Sequence, residues 1–349
     1  AASSAAPVGA GPARAGRCVV VAPGAGRAVR VFSGRGADQG GFFAYDPGFG
    51  GGVSVAIGDV TGTPLPEIVT GSGPGMAPRV RVFSDSGQLL SEFNAYIEGF
   101  AGGVSVAVAN GEIITGPGFG GGPDVRVFDA SGGLKREWMA YDPNFTGGIH
   151  VAAGPVTNSL TTNVVTAPLF GGGPHVRVFD DSGHVQGEWM AYDPNFTGGV
   201  NVAAASGRVI TAPASRGGPH VRVFSSSGAV MSEWMAYDPS FTGGVEVAAG
   251  TIDLQPAVVT GAGPGGQTGA RTGGRGKGWG SPRRVPGPRV STSRSAPAIP
   301  ASRQSRSTAT SSDGTASTST RVPTRSPSSN GSGLVTSTSG SRPARRTVL

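Results

Sequence analysis

Four arginine–glutamate pairs stand a constant eleven residues apart: Arg81 and Glu92, Arg126 and Glu137, Arg177 and Glu188, Arg222 and Glu233. That spacing suits partners facing each other across a short hairpin, where each pair contributes a few tenths to about 1 kcal/mol. It does not suit acid–base catalysis, which needs titratable groups in unlike environments. Gly41 stands where the first copy would need its glutamate, so Arg30 is expected to lack a partner. Asp46, Asp142, Asp193 and Asp238 each precede a proline. Asp-Pro opens a type I turn, with the carboxylate bonded to nearby backbone. Trp138, Trp189 and Trp234 offer flat faces that could stack on sugar rings, and packing between neighbouring units is the favoured competing role. His175 and His220 follow Gly-Gly-Pro, where other copies carry Asp124 or Arg79, and read as surface variation. His150 and His184 read as isolated, and no two histidines have metal-ligand spacing. The glycine-rich stretches lack the Lys-Ser/Thr and the helix of a phosphate loop.

The elements that must position these residues repeat. Val-Arg-Val-Phe occurs at 29–32, 80–83, 125–128, 176–179 and 221–224, in steps of 51, 45, 51 and 45. Around each copy lie a Gly-Gly-Val-x-Val-Ala segment (Gly-Gly-Ile-His-Val-Ala at 147–152), a Val-Val-Thr-like segment and an aromatic segment such as Glu137–Tyr141. All are short, rich in β-branched or aromatic residues and bounded by Gly, Pro, Asn, Asp or Ser, which are strand signals. Four strands per 45–51 residues predict an all-β fold, a β-propeller of four-stranded blades. The Gly/Ala-rich segment should line the crowded axis and the Trp/Tyr segment the perimeter. Asn110-Gly111 and Ser206-Gly207 predict two-residue hairpins between the first and second strands of the shorter copies. As the sequence stands there are five blades, closed by pairing 245–250 with the N-terminal strand near 18–22. The surplus strand at 257–261 and the 51/45 alternation keep six blades as the alternative.

Composition changes sharply near Gly265. Up to that residue there are 14 Lys+Arg and 20 Asp+Glu, a net charge of −6; beyond it 14 basic residues face only Asp313, a net of +13. The basic character therefore belongs to the end of the chain, and the body is no nucleic-acid binder on its charge. We expect 1–16 to be a disordered segment or signal remnant, 17–265 the propeller, and 266–349 a disordered Ser/Thr/Arg/Pro-rich tail. The break falls inside a repeat, and the tail holds a single Lys, so a frame-shifted end is the competing origin. Nucleic acid or another polyanion is expected as a partner only through that tail. Cys18, the one cysteine, excludes an intramolecular disulfide, and no apolar run is long enough to span a bilayer as a helix.

Gly172–Phe179 (Gly-Gly-Pro-His-Val-Arg-Val-Phe) and Phe196–Val200 (Phe-Thr-Gly-Gly-Val) resemble FG-GAP/VCBS-type repeats of bacterial secreted and surface proteins, distantly related to integrin α-chain propellers. The resemblance covers about residues 18–265. It implies an extracellular or cell-surface location and a calcium loop between the first two strands of a blade. Here that loop runs from Asp59 to Glu67, with Thr61 and Thr63 where further ligands would stand; Asp253 is the carboxylate left in the corresponding loop near 250–256. Calcium needs about six or more oxygens, several of them charged, so we expect no cofactor, with calcium at Asp59, Glu67 and Asp253 as the alternative. Near-identical units offer equivalent positions, whereas an active site needs a unique constellation. The expectation is a non-enzymatic binding or adhesion scaffold with a protein or polysaccharide ligand. A lectin using Trp138, Trp189 and Trp234 is the alternative, and a glycan-cleaving propeller enzyme the third reading.

Overall fold

The computed structural model of the protein describes residues 5–7, 19–23, 26–33, 36–157, 161–252, 255–266, 270–273 and 282–284. Asp253 and most of 1–16 and 266–349 lie outside them. All regular elements among the described residues are β-strands, arranged as six antiparallel sheets of four strands in chain order. The first sheet comprises β1 (Ala5–Pro7), β2 (Val19–Pro23), β3 (Ala28–Phe32) and β4 (Asp38–Phe43). The second comprises β5 (Val53–Gly58), β6 (Glu67–Ser72), β7 (Arg79–Phe83) and β8 (Leu89–Asn94). The third comprises β9 (Val104–Ala109), β10 (Glu112–Pro117), β11 (Asp124–Phe128) and β12 (Leu134–Met139). The fourth comprises β13 (Ile149–Gly154), β14 (Asn163–Pro168), β15 (His175–Phe179) and β16 (Val185–Met190). The fifth comprises β17 (Val200–Ala205), β18 (Arg208–Pro213), β19 (His220–Ser225) and β20 (Val230–Met235). The sixth comprises β21 (Val245–Ile252), β22 (Gln255–Ala262), β23 (Ala270–Gly273) and β24 (Pro282–Arg284).

Each first strand touches the first strand of the next sheet, and β1 meets both β21 and β5. The sheets are thus the blades of a β-propeller, with the Gly-Gly-Val-x-Val-Ala segments around the axis as expected. The chain ends are used differently from the expected closure. Val245–Ile252 pairs with its neighbour Gln255–Ala262 rather than with 18–22, and Ala5–Pro7 takes the innermost place beside Val19–Pro23. The physical reason is loop closure: two adjacent strands pair at far lower entropic cost than strands more than 200 residues apart.

The second strands are buried on both faces, as strands packed between two neighbouring blades must be, and the third strands bury the face that carries their valines. Val80, Val82, Val125, Val176, Val178, Val221 and Val223 have no exposed surface. In the first four blades the outer aromatic packs on the Val-Arg-Val-Phe phenylalanine of the next: Phe42 on Phe83 at 4.6 Å, Phe93 on Phe128 at 4.9 Å, Trp138 on Phe179 at 5.8 Å and Trp189 on Phe224 at 5.5 Å between ring centroids. The predicted hairpins form, with Ala109 opposite Glu112 and Ala205 opposite Arg208. Both central residues of each turn have positive φ: 51° and 75° at Asn110-Gly111, 52° and 74° at Ser206-Gly207. That is the type I′ geometry the twist of a hairpin favours.

Candidate functional site

The repeated charged and aromatic residues meet at the blade boundaries. Arg126, Arg177 and Arg222 face Glu137, Glu188 and Glu233 across the strand pair, at 3.1, 2.8 and 2.9 Å, and Arg81 faces Glu92 in the same way. Arg30, expected to be unpartnered, instead pairs with Asp38, because the register of β3 and β4 shifts beyond Arg30. The arginines also cross to the preceding blade. Arg177 donates to the Ala140 carbonyl at 2.9 Å and lies over the Tyr141 ring at 5.3 Å; Arg222 does the same with Ala191 and Tyr192. Each tyrosine completes the join: Tyr141 donates to the His175 carbonyl at 2.7 Å and accepts from Thr166, while Tyr192 donates to the His220 carbonyl at 2.8 Å. Burial pushes the Tyr45, Tyr96, Tyr141 and Tyr192 phenols well above the ordinary range, so all four stay neutral.

The expected turn chemistry is present. Asp142 and Asp193 accept through Oδ1 from Asn144 and Asn195 N–H, both at 2.8 Å. His175 and His220 stand 3.1 and 3.0 Å from Glu188 and Glu233, and His184 lies 3.3 Å from Asp180. Trp138 and Trp189 lie against the hairpin glycines Gly183 and Gly228 of the next blade as well as against its phenylalanine. Trp234 packs on the cluster that includes Val245, Val247 and Val258. The three tryptophans therefore sit in separate blade boundaries and are not brought together.

The loop between β5 and β6 tests whether calcium fits. Glu67 is only 2 % exposed. Its carboxylate accepts from Val60 N–H at 2.9 Å, Thr61 Oγ1 at 2.5 Å and Thr63 Oγ1 at 2.7 Å. Burial alone would raise this carboxyl, but the bonds from Thr61, Val60 and Thr63 outweigh it and hold it below the usual range. Asp59 accepts from Gly62 N–H at 2.7 Å. In the matching loop Asn163 replaces the glutamate, and its Oδ1 accepts from Val156 N–H and from the backbone and hydroxyl of Thr157. Oxygens already turned toward protein donors do not fit a cation that needs them all, and no cluster of three His, Cys, Asp or Glu exists among the described residues.

At the axis, too, one register differs from repeat to repeat. The variable residue of Gly-Gly-Val-x-Val-Ala is Ser54, Ser105, His150, Asn201 and Glu246 in successive blades. All five line a central cavity of about 370 Å³ whose remaining wall is almost entirely Gly, Ala, Val and Ile. The serines have a structural task. An innermost strand leaves backbone N–H groups unpaired on its axial edge, and Ser54 and Ser105 accept from Val106 and Val151 of the next blade, at 3.1 and 3.2 Å. Asn201 Nδ2 reaches the Val245 carbonyl at 2.9 Å, while its Oδ1 and His150 Nε2 are buried without a partner. Burial pushes Glu246 up to about 7, against a bond from Asn201, and pushes His150 down to about 4. Both are half-buried and line the cavity. Aligning the inner segments would have shown this register in the sequence: the x residue varies where its neighbours do not.

The loops after the second and fourth strands of a blade share one face. There the Phe119 and Phe170 rings meet edge to face at 6.0 Å, and the Arg216 guanidinium lies 4.8 Å from the Phe170 centroid. Phe119 is 61 % exposed, and Ile97, standing where other copies have aspartate, is 78 % exposed. Arg216 holds a φ of 58° where the equivalent residues are Gly120 and Gly171. No helix among the described residues is long and apolar enough to cross a membrane.

No protein-family model and no curated protein matches the chain. Among solved structures it is similar to YjhT, at 10 % identity and a TM-score of 0.47 over 81 % of this chain and 98 % of that one. It is similar to Raptor of Chaetomium thermophilum at 12 % and 0.45, over 74 % of this chain and 28 % of that one. It is similar to the propeller of Dos1 at 12 % and 0.43, over 70 % and 62 %. These likenesses concern the fold alone.

Proposed function

We propose that this propeller is a non-catalytic binding scaffold that works outside a bacterial cell or on its surface, gripping a protein or polysaccharide ligand in an adhesion-type role. The observation that carries the reading is where the repeated polar residues go. Arg177, Tyr141 and Thr166, with their copies, are consumed in joining blade to blade, and Glu188 in holding Arg177. What distinguishes one blade from another on the surface is the loop face, with Ile97, Phe119, Phe170 and Arg216. An aromatic pair beside an arginine, here exposed Phe119 on half-buried Phe170, is the kind of anchor that dominates binding energy. The location outside the cell rests on the resemblance of the repeats to FG-GAP/VCBS segments. A lectin role for Trp138 and Trp189 has less support, since Gly183 and Gly228 lie against their rings.

The test is binding of the purified chain to glycan arrays and to a panel of surface-protein fragments, with Phe119→Ser/Phe170→Ser beside it. Loss of the ligand in the double variant, at unchanged circular dichroism, supports the reading. A ligand held equally well by the double variant, or a glycan cleaved by the wild type, overturns it.

A further inference from the structure

We propose that the central channel is a binding site for a small organic cation, an alkyl-ammonium group held by the Glu246 carboxylate and the Asn201 Oδ1 with its carbon chain along the Val/Ala wall. This goes beyond the loop-face reading and is independent of it.

Three observations converge. The cavity, at about 370 Å³, falls in the range of small-molecule pockets, roughly 300–1,000 Å³. Its polar groups are concentrated on three neighbouring strands, β13, β17 and β21, where His150, Asn201 and Glu246 replace the serines of the preceding blades. These groups have spare acceptor capacity. Asn201 is 3 % exposed and lines the cavity, and its Oδ1 has no partner among the described residues. The Glu246 carboxylate is met by the Asn201 amide and, among the described residues of the cavity wall, by no arginine or lysine.

A buried carboxylate without a counter-charge is expensive, and the protein answers by favouring its protonated form. A ligand that brings the missing positive charge reverses that balance. An ammonium group carries three donors and no acceptor, which matches a wall offering acceptors. A multivalent metal is the poorer fit, since no third His, Cys, Asp or Glu joins the site among the described residues. The only titratable residues of the described wall are Glu246 and His150. The innermost strands β5, β9 and β17 carry none, β1 and β22 contain no titratable residue type, and His150 stays neutral above about pH 4. Binding to ionised Glu246 must therefore release the proton it carries at lower pH.

Isothermal titration calorimetry of the full chain with n-butylammonium chloride tests this at pH 6 and pH 8, in buffers of different ionisation enthalpy. One saturable site is expected, bound about tenfold more tightly at pH 8, the ratio of ionised Glu246 around its value near 7. Proton release is expected at pH 6, and n-butanol, the neutral analogue, should not bind. Glu246→Gln should abolish binding without loss of the strand circular dichroism signal. Equal binding of n-butanol to the wild-type chain, undiminished ammonium binding in Glu246→Gln, or no binding at pH 8 would each overturn the proposal. Because Phe119 and Phe170 do not line the channel and Glu246 is not on the loop face, failure here and failure of the scaffold reading are separate results.

Discussion

The Tyr141 hydroxyl donates to the His175 carbonyl at 2.7 Å, tying the end of the third blade to the third strand of the fourth. The same hydroxyl accepts from Thr166, so one phenol satisfies two groups at the blade boundary. Tyr141→Phe keeps the ring under Arg177 but strands the carbonyl and the threonine. Leaving such groups unpaired costs about 1–3 kcal/mol each. Urea denaturation should show a loss of that order, with the transition slope unchanged; an unchanged midpoint would mean the boundary does not depend on this bond.

Glu67 ties the carboxylate chemistry to pH. Its folded value lies below the unfolded one, so its contribution is present above the unfolded value, near 4.3, and is lost as the pH falls through the folded one. Glu67→Gln should therefore lower stability at pH 7 and flatten the acid limb of the pH–stability curve. Because threonine hydroxyls and a backbone N–H already fill the carboxylate, melting temperatures in calcium and in EDTA should coincide within about 1 °C. A calcium-dependent rise of several degrees would restore the ion that the resemblance implies.

Gly183 has a φ of +84°, and a Cβ there would lie 2.8 Å from the Trp138 ring. Gly183→Ala therefore combines a left-handed backbone penalty of about 1–2 kcal/mol with displacement of the indole. Reduced thermal stability and a changed tryptophan emission spectrum are expected together. Loss of stability with an unaltered spectrum would place the indole elsewhere.

Glu246 behaves in the opposite sense to Glu67. Its folded value is raised, so its contribution is fully present below the unfolded value near 4.3 and is lost as the pH rises through about 7. Glu246→Gln, which cannot ionise, should match the wild type near pH 4 and be the more stable protein at pH 8. Denaturation curves at the two pH values decide it, and equal stability at pH 8 would show the carboxylate to be well solvated in the channel.

Much of the fold was legible because repetition amplifies weak local signals. One Val-Arg-Val-Phe is ambiguous, but five copies in register with Gly-Gly-Val and Trp/Tyr segments define a blade and order its strands from axis to rim. The eleven-residue spacing of Arg177 and Glu188 gave their pairing because a hairpin fixes the register locally. Asn110-Gly111 gave its turn because positive φ at both positions selects those residue types.

The tryptophan packing between blades was expected, but the polar contacts there were not legible, since nothing in the spacing says that Arg177 also holds the Ala140 carbonyl or that Tyr141 serves the following blade. His150 read as isolated for the same reason. In the chain it stands 51 residues from Asn201 and 96 from Glu246, and only closure of the ring brings three innermost strands around one cavity. The sequence by itself determined the four-stranded unit, because strand periodicity, turn residues and hairpin pairs are local. The tertiary structure decided how the chain ends complete the ring and which side chains share the axis, because radial stacking joins residues whose only common property is their place in the repeat.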